Sequence, residues 1–157
     1  MARVCVDAGF LIGLFDESDQ HHPTAIRHFE TIFGESSPRH RVIIPWPILY
    51  ECLGTRFARD SRKVTLLTRH WNFLSQSDRI VLLEDQPFRE ISLADHLQDR
   101  FRTLSLVDRV LRAMILDPRS LFEVFLTYNA GDFADACRQR RITLIDERSI
   151  VENYGIH

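Results

Sequence analysis

At 157 residues the chain has the length of one typical domain, which argues against a two-domain enzyme. Hydrophobic residues make up 45% and charged residues 27%, with 11 Phe, enough apolar material for a core and too much for a disordered or collagen-like chain. The formal charge of −2 announces no basic nucleic-acid glove, although Lys63 is the only lysine among 20 basic side chains. Arginine carries a planar donor fork suited to phosphate and carboxylate; such skewed usage can equally reflect genome composition.

In chain order, Arg3-Val-Cys-Val-Asp7 reads as a short buried strand, followed by an apolar helical turn or two over Ala8–Phe15. A polar loop runs from Asp16 to Pro23, where the proline can open the next helix. Ala25, Ile26, Phe29, Ile32 and Phe33 recur at three- and four-residue steps, and Gly34-Glu-Ser-Ser-Pro38 stops that helix. Arg41-Val-Ile-Ile-Pro45 is a second strand. Pro47 then starts a helix carrying Leu49, Cys52, Leu53 and Phe57 toward the core, with Glu51 off that stripe. Asp60-Ser61 begins another helix through Val64, Leu67, His70, Trp71 and Leu74. Arg79–Leu83 is a third strand, with a helical stretch from Pro87 to about Phe101 behind it. Ser105 opens the clearest helix, with Leu106, Val107, Val110, Leu111, Met114 and Ile115 on one face. Leu121–Leu126 is a fourth strand, Asp132 opens a helix to about Arg140, and Ile142–Ile145 is a fifth strand. Short strands alternating with helices define the α/β class: one domain over residues 1–157, with a central parallel sheet of about five strands between two helical layers.

Cys5, Cys52 and Cys137 are an odd number without a C-x-x-C pair, and Cys5 and Cys52 lie in apolar runs, so buried reduced thiols are expected. Asp7 arrives before an apolar signal region can develop, and no run has the roughly 18 apolar residues of a membrane span. A cytoplasmic protein with no membrane partner is expected.

Sites in open α/β sheets gather at the carboxyl ends of the strands. Asp7 ends the first strand, Glu51 lies about one turn into the helix after the second, and Asp132 follows the fourth. Asp108 lies in the first turn of the Ser105 helix. Each also has a plain structural reading. Asp7 and Asp132 can cap helices, Ser105-Leu-Val-Asp108 fits a capping box, and Glu51 can be a solvated helix residue. Converging carboxylates in a dry pocket would raise one another's pKa unless a cation neutralised them, and an all-oxygen set suits Mg²⁺ or Mn²⁺.

Val4-Cys-Val-Asp7-Ala-Gly-Phe-Leu-Ile-Gly-Leu-Phe with Asp19-Gln-His-His-Pro-Thr-Ala25 resembles the opening of a PIN domain. Pro45-Trp-Pro-Ile-Leu-Tyr-Glu51, Leu104-Ser-Leu-Val-Asp108 and Leu126-Thr-Tyr-Asn129-Ala-Gly-Asp132-Phe resemble its later acidic motifs, in the same order. The likeness spans residues 3 to 146. It implies a helix-sandwiched parallel sheet and a Mg²⁺- or Mn²⁺-dependent ribonuclease, with the VapBC toxins the best known small members. By matching positions, Asp7, Glu51, Asp108 and Asp132 inherit the catalytic and metal-holding roles, and Asn129 and Ser105 the auxiliary polar ones. The resemblance also implies hydrolysis to 5′-phosphate and 3′-hydroxyl ends, an antitoxin partner and a homodimer. Two positions depart from the pattern: Ala8 replaces a frequent Thr or Ser, and Arg109 replaces a small residue.

Arg56, Arg59, Arg62, Lys63 and Arg69 cluster after Glu51 and could track RNA phosphates, or simply form a solvated helical face. Arg138, Arg140 and Arg141 form a second, weaker patch. Trp46 and Trp71 could stack bases, although their apolar spacing favours the core. His21, His22 and His28 lack partners at zinc spacing and read as a solvated loop, and Asp16, Glu17 and Asp19 as surface charge. Asp146-Glu147 could add a carboxylate near the pocket. The competing functional readings are a catalytically silent PIN-like RNA- or protein-binding module, a stand-alone PIN nuclease, and a metal hydrolase of a small phosphorylated substrate.

Overall fold

A computed structural model describes residues 1–37, 39–100 and 103–156. Five strands, β1 (Arg3–Val6), β2 (Arg41–Pro45), β3 (Ile80–Leu83), β4 (Val124–Leu126) and β5 (Thr143–Ile145), form one sheet in the order β3-β2-β1-β4-β5. All pairings are parallel. The central strand β1 aligns Val4 with Val42 on one side and with Val124 on the other. Val4, Cys5, Val6, Val42, Ile43, Ile44 and Phe125 are all buried, the near-continuous apolar run that a strand covered on both faces requires.

Between the strands lie α1 (Ala8–Phe15), α2 (His22–Phe33), α3 (Trp46–Cys52), α4 (Thr55–Ala58) and α5 (Ser61–Ser75), then α6 (Gln86–Gln98), α7 (Leu106–Leu116) and α8 (Ala134–Arg140). A 3₁₀ turn, Ala130–Asp132, precedes α8, and another covers Val151–Tyr154. The chain first steps outward from β1 to β2 to β3, then returns to β4 and β5 on the other side. Right-handed crossovers taken in opposite directions put their helices on opposite faces. Accordingly α1 packs on α2, α3 and α5, while α7 packs on α6 and α8. The expected three-layer α/β/α architecture is therefore present.

Several boundaries differ from the sequence reading. The helix expected to carry Leu49 through Phe57 breaks at Leu53, and Gly54 starts the separate α4. Glycine is a poor helix former, and the break leaves Leu53 on the surface while Phe57 turns back onto Phe15. β4 begins at Val124, later than the expected Leu121; Glu123 just before it accepts from the Arg3 N–H and Nε at 2.8 and 3.0 Å. Asp132 ends the 3₁₀ turn and caps no helix; α8 starts after Phe133. Leu106 lies at the exposed start of α7. The expected helix end near Phe101, and Pro38 in the expected stop after α2, fall outside the described residues. Among the described residues no helix is long and apolar enough to cross a membrane.

Candidate active site

The sheet order reverses between β1 and β4, and in doubly wound sheets that reversal opens a crevice at the carboxyl edge. Asp7 stands there. Its backbone N–H donates to Leu126 O at 3.0 Å, continuing the β1–β4 ladder, while its side chain caps α1 by accepting from Ala8 N–H at 2.6 Å. The other carboxylate oxygen accepts from the Thr127 hydroxyl at 2.7 Å. Thr127 is fully buried and also accepts from the Asn129 N–H at 3.0 Å, so one hydroxyl ties the end of β1 to the turn after β4.

The other acids surround this point. Asp108 closes the expected capping box, its backbone N–H donating to Ser105 Oγ at 3.1 Å and its carboxylate accepting from Ser105 N–H and Oγ. Asp132 accepts from the Asn129 amide. Glu51, near the end of α3, is exposed and makes no hydrogen bond or ion pair among the described residues. The four share one electrostatic neighbourhood. Asp7 is only 7% exposed. That burial lifts its carboxyl above the ordinary 3.8 despite the bonds from Thr127 and Ala8, and the charges of Asp108 and Asp132 lift it further. Glu51 is raised by partial desolvation first, then by the charges of Asp7 and Asp108.

Among the described residues no three His, Cys, Asp or Glu side chains are placed to hold one ion together. The donors nevertheless fit a hard divalent cation in chemistry: all are oxygens, and two of the four are penalised by the charge that a cation would neutralise. Asp108 and Asp132 each give only one carboxylate oxygen to Ser105 and to Asn129, respectively.

Two residues that sequence reasoning missed hold this arrangement. Thr127 supplies a hydroxyl to Asp7, where Ala8 offers none. Arg112 of α7 reaches the carbonyl of Asp132 and forks onto Asp135 with two 2.7 Å bonds, pinning the acidic 3₁₀ turn to α7. Arg109 points elsewhere, bonded to Asp99 and to His96 Nδ1. Its bulk is thus absorbed at the end of α6.

Other expectations resolve plainly. His28 is no loop residue: it is buried on α2, with Nδ1 3.1 Å from the Tyr128 hydroxyl, and burial lowers its pKa. Asp146 is occupied in its own turn with Ser149 and Arg148, while Glu147 lies 3.1 Å from His21 Nδ1. Arg56, Arg59, Arg62 and Arg69 are exposed and form no ion pair among the described residues. Lys63 is engaged, with Nζ 2.8 Å from Asp16. Arg140 donates to Pro118 O at 3.1 Å. Trp71 packs against the core, as does part of Trp46. A groove of about 630 Å³ between α6 and α7 is lined by none of the four acids.

Fold and site together describe a parallel α/β/α sandwich with acids at its switch point. No protein-family model matches the chain, and no curated protein matches it. Among solved structures, that of Mycobacterium tuberculosis VapC20, a sarcin–ricin loop cleaving toxin, matches with a TM-score of 0.60 at 17% identity, over 84% of this chain and 94% of that one. The likeness is one of fold, and the fold is PIN-like.

Proposed function

We propose that the chain is a metal-dependent endoribonuclease that hydrolyses RNA phosphodiester bonds, and that it is the toxin of a type II toxin–antitoxin pair. The observation that carries the reading is a buried Asp7 at the sheet's switch point, made more basic by two further carboxylates around it. Such an arrangement stores repulsion that a cation relieves. VapC20, which shares the fold, is described as a sarcin–ricin loop cleaving toxin, which agrees with this activity class.

Asp7, Glu51, Asp108 and Asp132 would hold Mg²⁺ or Mn²⁺. When bound, the ion would supply Lewis acidity to an attacking water and to the scissile phosphate. Thr127 and the Ala8 N–H keep Asp7 in one rotamer, so its contribution to the site is pre-set. Ser105 and Asn129 orient Asp108 and Asp132, each through one carboxylate oxygen, so that their free oxygens would be available to an ion. Arg56, Arg59 and Arg62 draw the phosphate chain toward an otherwise repulsive pocket; Lys63 joins them by leaving Asp16. On this reading the partners are RNA, an antitoxin protein and a second copy of the chain, all in the cytoplasm.

The test is RNA cleavage in Mg²⁺ or Mn²⁺, in EDTA, and by Asp7→Asn and Asp108→Asn. Cleavage should disappear in EDTA and fall at least about 100-fold in either variant. Cleavage that survives all three conditions overturns the reading. An upstream gene for a small DNA-binding protein would support the toxin assignment, and its absence would favour a stand-alone nuclease.

A further inference from the structure

Tyr50 is 74% exposed, yet it precedes Glu51 directly on α3. Its ring lies against Trp46, one helical turn earlier, with centroids 6.0 Å apart and planes tilted by 31°. Trp46 is itself partly buried against the core, so the outer ring rests on an anchored one. Helix α3, which carries the pair, begins directly after β2, at the carboxyl edge of the sheet. Beyond Glu51, Arg56 and Arg59 stand exposed and form no ion pair among the described residues.

Single exposed aromatics are ordinary on protein surfaces. This one differs in having a ring packed beside it, a carboxylate of the candidate centre next in sequence on the same helix, and uncompensated cations following. A flat, anionic, unpaired polymer matches all three features. Bases offer a face for the ring and phosphates a charge for the arginines, and base–aromatic stacking tolerates any sequence. Bracing also lowers the rotamer entropy lost when a base settles. We propose that Tyr50, supported by Trp46, is a stacking subsite for an unpaired RNA base beside the scissile phosphate. The inference rests on the ribonuclease reading above. It assigns Tyr50 a positioning role: the stacked base fixes the register in which the strand meets Glu51 and Asp7.

The experiment is fluorescence anisotropy with a fluorescein-labelled, mixed-sequence single-stranded RNA of about eight nucleotides, in EDTA so that the strand stays intact. Tyr50→Ala should weaken binding about 5- to 100-fold, and Tyr50→Phe should stay within about twofold of wild type, since the ring is kept. An abasic strand of equal length should bind wild type and Tyr50→Ala alike, because it presents phosphates without rings. Equal affinity of wild type and Tyr50→Ala for the base-bearing RNA overturns the subsite and leaves Tyr50 as a contact for a protein partner. A loss in Tyr50→Phe as large as in Tyr50→Ala overturns it too. Binding of neither strand by wild type overturns the subsite, while the ribonuclease reading stands or falls by the cleavage assay above.

Discussion

Asp7 carries two duties that compete. As the cap of α1 it accepts a backbone N–H, which favours its charged form; as a buried acid among acids it is pushed toward its neutral form. Burial wins, so the folded protein holds this proton to higher pH than the unfolded chain. The sign for stability follows. As pH rises from the ordinary 3.8 toward the raised folded value, the unfolded chain releases its proton first, so the folded state loses ground across that window. Above it the penalty is constant. Wild type in EDTA should therefore lose stability relative to Asp7→Asn as pH rises from the ordinary carboxylate range through the raised folded value, read by urea unfolding at each pH. A gap that stays constant over that range would contradict the charge balance described for the crevice. The three cysteines enter none of this chemistry; all are buried, and desolvation raises each thiol.

Helix α1 shows how an element can be limited by its neighbour. Gly13 faces α2 so closely that an added Cβ would lie 3.1 Å from the Ala25 Cβ and 3.4 Å from His21. Gly13→Ala gains helix propensity but must force the two helices apart, and a tight core resists that. The net expectation is a loss of about 1–2 kcal/mol in urea unfolding, and a gain in stability would contradict the close α1–α2 approach at Gly13. Element by element, the hydrophobic periods in the sequence marked every strand and most helices, because buried parallel strands and amphipathic helices write themselves locally. The four acids were legible for the same reason, each falling beside the end of a readable element. Thr127 and Arg112 were not: their bonds join residues 120 and 20 positions apart, and no local period encodes such pairs. The break at Gly54 and the burial of His28 likewise depend on what packs against them. Tyr50 stood within a motif but gave no sign of its exposure.

For the molecule as a whole, the charge of −2 is an average over unlike regions. Acids crowd one crevice while exposed arginines gather along α4 and α5. A cation that settles among the acids only in the folded protein must stabilise it by mass action, by about 2.7 kcal/mol at a hundredfold excess over its dissociation constant. Mn²⁺ should thus raise the melting temperature of wild type, and raise it much less for Asp7→Asn. An equal rise in both would place the ion elsewhere. The topology adds a constraint of timing. Asp7 precedes its hydroxyl partner Thr127 by 120 residues in the chain, and Thr127 follows a strand that pairs with β1 from the far side. Until β4 emerges, β1 lacks one neighbour and the crevice lacks one wall. A chain of this order cannot assemble the crevice until synthesis has passed Thr127, so any chemistry proposed for Asp7 waits on the second half of the sheet.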